Sequence, residues 1–472
     1  MIYKTKPWEH QRQALEYLYP RNIGALYTDM GTGKTKVMID LIRNRADMKR
    51  VLIVGTVKAC DVWEDEIKTH GSKSKFRVIQ LVKLSTEKKI ALLTEELKKA
   101  KNDPKDVSTV IIINYESIWR EPLDAYLLRK TVGVDTVICD ESHKIKSPSS
   151  KCSRYLAKIG KRVKNRYLVT GTPTSESPMD VYAQYRFLDP TIFGTNYGKF
   201  CQQYQNVDVN ISSRVGYTVL DKKNPYKNLD DLKEKMFSCA FCIESSIKLP
   251  PTKNITVTFD LEDRAVRLYK ELKKEGIVEL NGGVLDVSNV LSMILREQQL
   301  TSGYLPVEKE DRSKKVINIS KARIKAFENL LKTFNKGEPI VVFARYKKDL
   351  KNIQESCNKL GLKYSELSGS KDQLQEWKEG FTDILGVQYT SGSESINLTR
   401  AHICIYYSLH HSYALYKQSR KRIHRPMQIQ PCDYYILVAK APKMTTIDEK
   451  MVEALKNKQN VVDYIMEGKL ND

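Results

Sequence analysis

The pentapeptide Gly31-Thr32-Gly33-Lys34-Thr35 narrows most sharply what this chain can become. It follows a short apolar run, Gly24–Tyr27, and precedes an amphipathic stretch, Lys36–Arg45. A phosphate-binding loop needs this strand–loop–helix setting. Glycines let backbone N–H groups approach phosphate oxygens closely. In such a loop Lys34 pairs with the β- and γ-phosphates and Thr35 ligates Mg²⁺.

The runs around the loop predict the architecture. Gly24–Tyr27, Val51–Val54, Val110–Ile113, Thr136–Cys139 and Tyr167–Val169 are nearly continuous in apolar character, as strands buried on both faces should be. Charged or amphipathic stretches such as Lys88–Lys99 separate them, which predicts a parallel sheet with helices on both faces. The same alternation returns with Ile340–Phe343, Ile384–Tyr389, Ile403–Tyr407 and Tyr434–Val438. Between the two α/β cores, residues 180–315 read as mostly helical, with Leu261, Ala265, Leu268 and Leu272 at helical spacing. Leu249-Pro250-Pro251 is the best candidate linker, and Ile447–Met466 reads as a C-terminal helical segment.

Two further clusters carry chemistry. Asp140-Glu141-Ser142-His143 directly follows the strand candidate that ends at Cys139. An acidic pair at the C-terminal end of a strand suits metal-assisted phosphoryl transfer, with Asp140 holding Mg²⁺ and Glu141 orienting and deprotonating the attacking water. Alone the tetrapeptide also suits a surface turn; its company with the phosphate loop favours the catalytic reading. In Gln418-Ser419-Arg420-Lys421-Arg422-Ile423-His424-Arg425, Arg422 and Arg425 are spaced so that a helix would put both on one face. Arginines of that kind can neutralise charge in a phosphoryl transition state, and a solvated basic helix face is the alternative.

Charge adds a partner class. Lys plus Arg is 79 against 57 for Asp plus Glu, a net charge of +22 that favours polyanions. Ser142 to Arg166 holds nine Lys or Arg, among them Lys146 and Lys151, and no acid, which suits contact with a phosphate backbone. No pattern for base reading is evident, so little sequence preference is expected. No apolar run approaches the ~20 residues of a membrane span, and residues 1–10 contain no secretory apolar core. The nine scattered cysteines, with one isolated Cys239/Cys242 pair, suggest a reducing compartment and no tetrahedral zinc site.

Taken in order, these motifs resemble the Swi/Snf family of superfamily-two helicase-type DNA translocases. Thr28–Thr35, Val51–Trp63, Asn114-Tyr115-Glu116, Asp140–His143 with Lys144–Ser150, Leu168–Pro173, Ile396–Thr399 and Gln418–Gln428 carry the resemblance. Short stand-alone motors of this kind are similar to bacteriophage-encoded members. Thr28 stands where the generic loop has Gly, a departure that helicase-type loops tolerate; Gly392–Ser395, His410-His411 and Pro426-Met427 also depart from the family. The resemblance implies two RecA-like parallel-sheet domains, residues 1–247 with a helical protrusion after about 180 and residues 248–472 with a helical insertion over about 255–315, and a nucleotide in the cleft between them. It implies that Gln11 reads adenine and that Asp29, Met30, Gly31, Thr32, Gly33, Lys34 and Thr35 hold ATP. It implies that Gln418 works with Arg422 and Arg425, and that His143, Thr170 and Thr172 couple nucleotide state to DNA grip. Thr56, Lys58 and Tyr115 would touch DNA from the first domain, and Arg345, Thr390 and Ser391 from the second.

The expected function is therefore an ATP- and Mg²⁺-dependent motor that translocates on duplex or branched DNA and remodels DNA or protein–DNA complexes. A strand-separating DNA or RNA helicase is the alternative enzyme, and an ATP-switched DNA-binding scaffold the alternative of another class. Protein partners supplied in trans, the cytoplasm of a bacterial or phage-infected cell, and no membrane association complete the expectation.

Overall fold

Seven parallel strands, nearly all of them apolar and β-branched, build the first sheet. The computed structural model describes residues 1–466 apart from 30, 73, 210–211, 213–217, 222–223, 244–248, 276, 281–282, 287–289, 310–313, 390–395 and 426. The chain divides into two compact units, Met1–Ile247 with Asn460–Asp472, and Lys248–Gln459.

In the first unit β1 (Ile23–Thr28), β2 (Arg50–Gly55), β3 (Phe76–Gln80), β4 (Ser108–Asn114), β5 (Thr136–Asp140), β6 (Asn165–Val169) and β7 (Ala240–Ile243) run in the order β3-β4-β2-β5-β6-β1-β7. All the pairings are parallel. Alternate residues feed two cores: Leu52, Val54, Ile111 and Ile113 enter one, while Val51, Ile53, Val110 and Ile112 enter the other. This two-sided burial is why the strands read as unbroken apolar runs. Crossover helices start at side-chain caps, with Thr56 accepting from Ala59 N, Ser85 from Lys88 N and Ser150 from Ser153 N.

The second unit repeats the plan. β8 (Thr252–Asp260), β13 (Ile340–Ala344), β14 (Tyr364–Leu367), β15 (Ile384–Gln388), β16 (Ile403–Tyr406) and β17 (Cys432–Lys440) form a parallel sheet ordered β14-β15-β13-β16-β17-β8. A separate antiparallel sheet, β12-β11-β10-β9, comprises β9 (Ile277–Leu280), β10 (Gly283–Asp286), β11 (Tyr304–Lys309) and β12 (Lys314–Asn318). Two parallel-sheet α/β units confirm the expected fold class.

The reading of 180–315 as mostly helical is corrected. Helices do occur there, including Asp263–Glu275 and Val290–Thr301, but β7 to β11 and the start of β12 fall in the same stretch. Five of these six strands are only four to six residues long, too short for periodicity to separate from helix. The nine-residue β8 was missed as well, although Ile255, Val257 and Phe259 alternate with polar residues there. Among the described residues no helix is long and apolar enough to cross a membrane.

A buried polar network ties the second unit together. Arg323 pairs with Asp448 and donates to the Thr301 and Tyr407 carbonyls. Nearby, the fully buried Asp349 accepts from Ser408 Oγ at 2.6 Å. Burial pushes its carboxyl from 3.8 up to about 6. Because the folded-state value lies above the unfolded one, this group stabilises the fold below about pH 4 and loses that contribution as pH rises to about 6. The expected size is roughly 3 kcal/mol. Chemical denaturation of wild type and Asp349→Asn at stepped pH checks it: the difference in stability between them should change across this window and be flat above it.

Candidate active site

Every motif singled out in the first unit leaves the C-terminal edge of its sheet, where open parallel sheets bind ligands. β1 ends at Thr28, β2 at Gly55, β4 at Asn114, β5 at Asp140 and β6 at Val169, each immediately before a motif residue.

The loop after β1 is built for close approach. Gly31 and Gly33 have φ of +82° and +75°, a region that glycine adopts without strain. A Cβ at Gly33 would also lie 2.2 Å from Gln11 Nε2. Gln11 Nε2 donates to Thr32 O at 3.0 Å, and His10 Nε2 is 2.9 Å from the same oxygen, so Glu9–Leu18 buttresses the loop. Lys34 Nζ donates to the carbonyls of Thr28 (3.0 Å) and Asp29 (2.9 Å), and Thr32 Oγ1 donates to Asp29 O at 2.7 Å. Lys34 begins the helix Lys34–Asn44, and Thr35 lies in its first turn. Met30 lies outside the described residues.

Asp140 closes β5. Its Oδ2 accepts from Trp63 Nε1 at 2.8 Å and its Oδ1 from Glu141 N at 3.0 Å. Burial first, then the neighbouring Glu141 charge, raises its carboxyl to about 6, while Trp63 and the Lys34 ammonium oppose the rise. The phosphate loop and the acidic motif thus share one electrostatic site. A buried carboxylate strained by a second one suits a divalent cation, so Asp140 has the donor chemistry that Mg²⁺ takes.

Glu141 adopts φ +52°, a left-handed conformation costing a non-glycine residue roughly 1–2 kcal/mol. The turn aims its carboxylate at the residues expected to couple. Thr170 Oγ1 donates to Glu141 Oε2 at 3.2 Å, and His143 Nδ1 lies 3.3 Å from that oxygen. His143 Nδ1 is also 3.1 Å from Thr170 Oγ1 and 3.4 Å from Thr172 Oγ1. The structure therefore brings the half-buried Glu141 together with the buried His143, Thr170 and Thr172 in one cluster. Ser142 is anchored separately, donating to Gln184 Oε1 at 2.7 Å.

The expected DNA contacts fare unevenly. Lys58 and Lys151 are exposed, Lys146 is half-buried and donates to Ser175 Oγ at 3.1 Å, and Thr56 is a buried helix cap. Tyr115 is corrected: its ring is buried in the core and its hydroxyl donates to Asp140 O at 2.7 Å. Burying an aromatic ring while satisfying its polar tip is favourable, and it takes the side chain off the surface. Thr390 and Ser391 lie outside the described residues, as do Gly392–Ser395 and Pro426.

In the second unit the helix Tyr413–Ile423 carries Gln418 and Arg422, one turn apart and both buried. The shared helical face for Arg422 and Arg425 is corrected. The helix stops at Ile423; His424 turns out with its Nε2 2.7 Å from Pro250 O, and Arg425 Nη1 donates to Ile396 O at 3.2 Å. Arg345 follows β13, and its guanidinium is hydrogen-bonded to the side chain of Gln298. Gln298 Nε2 in turn donates to Leu409 O at 3.0 Å, and Arg345 N donates to Ser408 Oγ at 2.9 Å. Arg345 is thus tied to the turn that leads into the arginine helix. Sequence reading missed Gln298 and Gln184, which have no local signature. Trp63 had one, as the tryptophan of a recognised motif.

Residues 10–303 match the SNF2-related domain and residues 322–427 the helicase conserved C-terminal domain. The chain belongs to the SNF2-related family. Curated relatives include an uncharacterized ATP-dependent helicase of Mycoplasma pneumoniae, 22% identical over 95% of this chain and 40% of its own length. The ISWI chromatin-remodeling complex ATPase ISW1 of Saccharomyces cerevisiae is 22% identical over 94% of this chain and 39% of its own. The human DNA repair and recombination protein RAD54B is 22% identical over 99% of this chain and 55% of its own. The SNF2-related chain thus spans 39% to 55% of the length of these relatives. Among solved structures, the Sulfolobus solfataricus SWI2/SNF2 ATPase core in complex with dsDNA aligns with a TM-score of 0.41 at 17% identity, covering 99% of this chain and 94% of that one.

Proposed function

We propose that this SNF2-related chain is an ATP-hydrolysing motor that translocates on duplex DNA and so remodels DNA or protein–DNA complexes. The observation that carries the reading is the hydrogen-bonded Glu141–Thr170–His143–Thr172 cluster beside the Lys34–Asp140 site. A base for water and the residues that follow β6 share hydrogen bonds, so a change at one is felt at the other. In this reading the loop amides and Lys34 bind the phosphates, Asp140 and Thr35 hold Mg²⁺, and Glu141 takes the proton of the attacking water. When bound, the cation neutralises charge developing on the phosphoryl oxygens. Gln11 serves the adenine end, and Gln418, Arg422 and Arg425 of the second unit serve the transition state. The names of the relatives, a chromatin-remodelling ATPase and a DNA repair and recombination protein among them, favour DNA as the track.

The helix Lys151–Gly160 supports backbone contact. Lys151, Arg154, Lys158 and the capping Lys161 recur along one side of it, all exposed. Counterion release then drives binding, without sequence preference. ATP turnover should rise severalfold or more with duplex DNA and lose that stimulation as salt increases. A rate that no nucleic acid changes across a salt series would sink the reading. Displacement of a triplex-forming strand, compared with separation of a forked duplex, then distinguishes tracking from unwinding.

A further inference from the structure

An open cleft of about 670 Å³ lies beside the basic helix, lined by Trp119, Arg120, Glu121, Asp124, Lys151 and Arg154. Trp119 is half-buried: it packs on the first core and also lines the cleft. Lys151 Nζ sits 5.1 Å from the centre of its ring, and the Arg120 guanidinium 6.0 Å. Both cations are exposed on long stems, so either can swing aside at little cost. The cleft wall is fixed, because Tyr155 OH donates to Asp124 O at 2.9 Å.

We propose that this cleft takes one unpaired nucleotide of a DNA strand, stacking its base on Trp119. The proposal rests on the duplex-DNA reading above and adds a feature of the substrate to it. Each part of a nucleotide finds its counterpart. Arg120, Lys151 and Arg154 meet the flanking phosphates. The indole offers a flat apolar face to a base. The carboxylates of Glu121 and Asp124 can accept from an exocyclic amino group. An acidic peptide would gain the same cations but would waste the indole and would offer the carboxylates no amino group to accept from. The position also suits a strand leaving a duplex, since Lys151 and Arg154 open the exposed basic stripe on the helix Lys151–Gly160.

The test compares three DNAs by fluorescence anisotropy: a blunt duplex, the same duplex with a short adenine tail, and the same with an abasic tail. The abasic tail keeps the phosphates and removes the bases. Wild type should bind the adenine-tailed duplex roughly fivefold or more tightly than either other DNA, the scale of stacking one base. Trp119→Ala should bind all three alike, at the wild-type affinity for the blunt duplex, and Trp119→Tyr should regain part of the preference. Equal binding of adenine and abasic tails by wild type overturns the proposal. So does an undiminished preference in Trp119→Ala, or displacement of the adenine tail by a glutamate-rich peptide. Blunt-duplex binding without tail preference overturns this site alone, whereas no binding of any DNA overturns the motor reading with it.

Discussion

Glu141→Gln should bind ATP with nearly wild-type affinity and hydrolyse it slower by a factor on the order of 10² to 10⁴, the scale of a lost general base. The amide keeps the size of the side chain and an oxygen that can still accept from Thr170 Oγ1. It cannot take a proton. Lys34→Ala should fail earlier, at binding. Lys34 Nζ holds the Thr28 and Asp29 carbonyls, so its loss removes the phosphate-pairing charge and loosens the loop together. Equilibrium binding of a fluorescent ATP analogue and single-turnover hydrolysis separate the two variants. A Glu141→Gln protein that hydrolyses ATP at the wild-type rate would remove Glu141 from the chemistry.

The contrast between these residues also explains what was legible in the sequence. The phosphate loop and the acidic motif were readable because chemistry fixes their spacing locally. Gly31 and Gly33 must tolerate positive φ, Lys34 must follow them, and Asp140 must end a buried strand. The strands carrying them were readable because two-sided burial leaves an unbroken apolar signature. Tertiary hydrogen bonds have no such signature. Nothing near Gln298 in sequence announces Arg345 or Leu409, and nothing near Trp63 points to Asp140, 77 positions away. Tyr115 was misplaced because a motif match fixes where a residue lies and not which way its ring faces. The antiparallel sheet was missed because runs of four to six residues fit either period.

Arg422→Ala and Arg425→Ala should spare most ATP affinity and lower hydrolysis by roughly 10³-fold or more, the range over which arginines act on phosphoryl transition states. The first unit holds the phosphate loop, and these arginines belong to the second, so binding and turnover are expected to separate. The two positions differ in what else they hold. Arg422 is buried within the helix Tyr413–Ile423, and its carbonyl accepts from Leu398 N at 3.0 Å, so truncation there leaves a void next to a backbone contact. Arg422→Lys is therefore the informative partner. It keeps a charge and most of the stem but loses the planar fork, so it should fold like wild type and remain slow. Arg425 lies past the helix end, half-buried, with one nitrogen on Ile396 O. Arg425→Ala should leave thermal stability nearly unchanged, so a loss of turnover there cannot be blamed on unfolding. Near wild-type hydrolysis in both Arg422→Lys and Arg425→Ala would mean that the second unit contributes no charge to the reaction, and the motor would need another source for it.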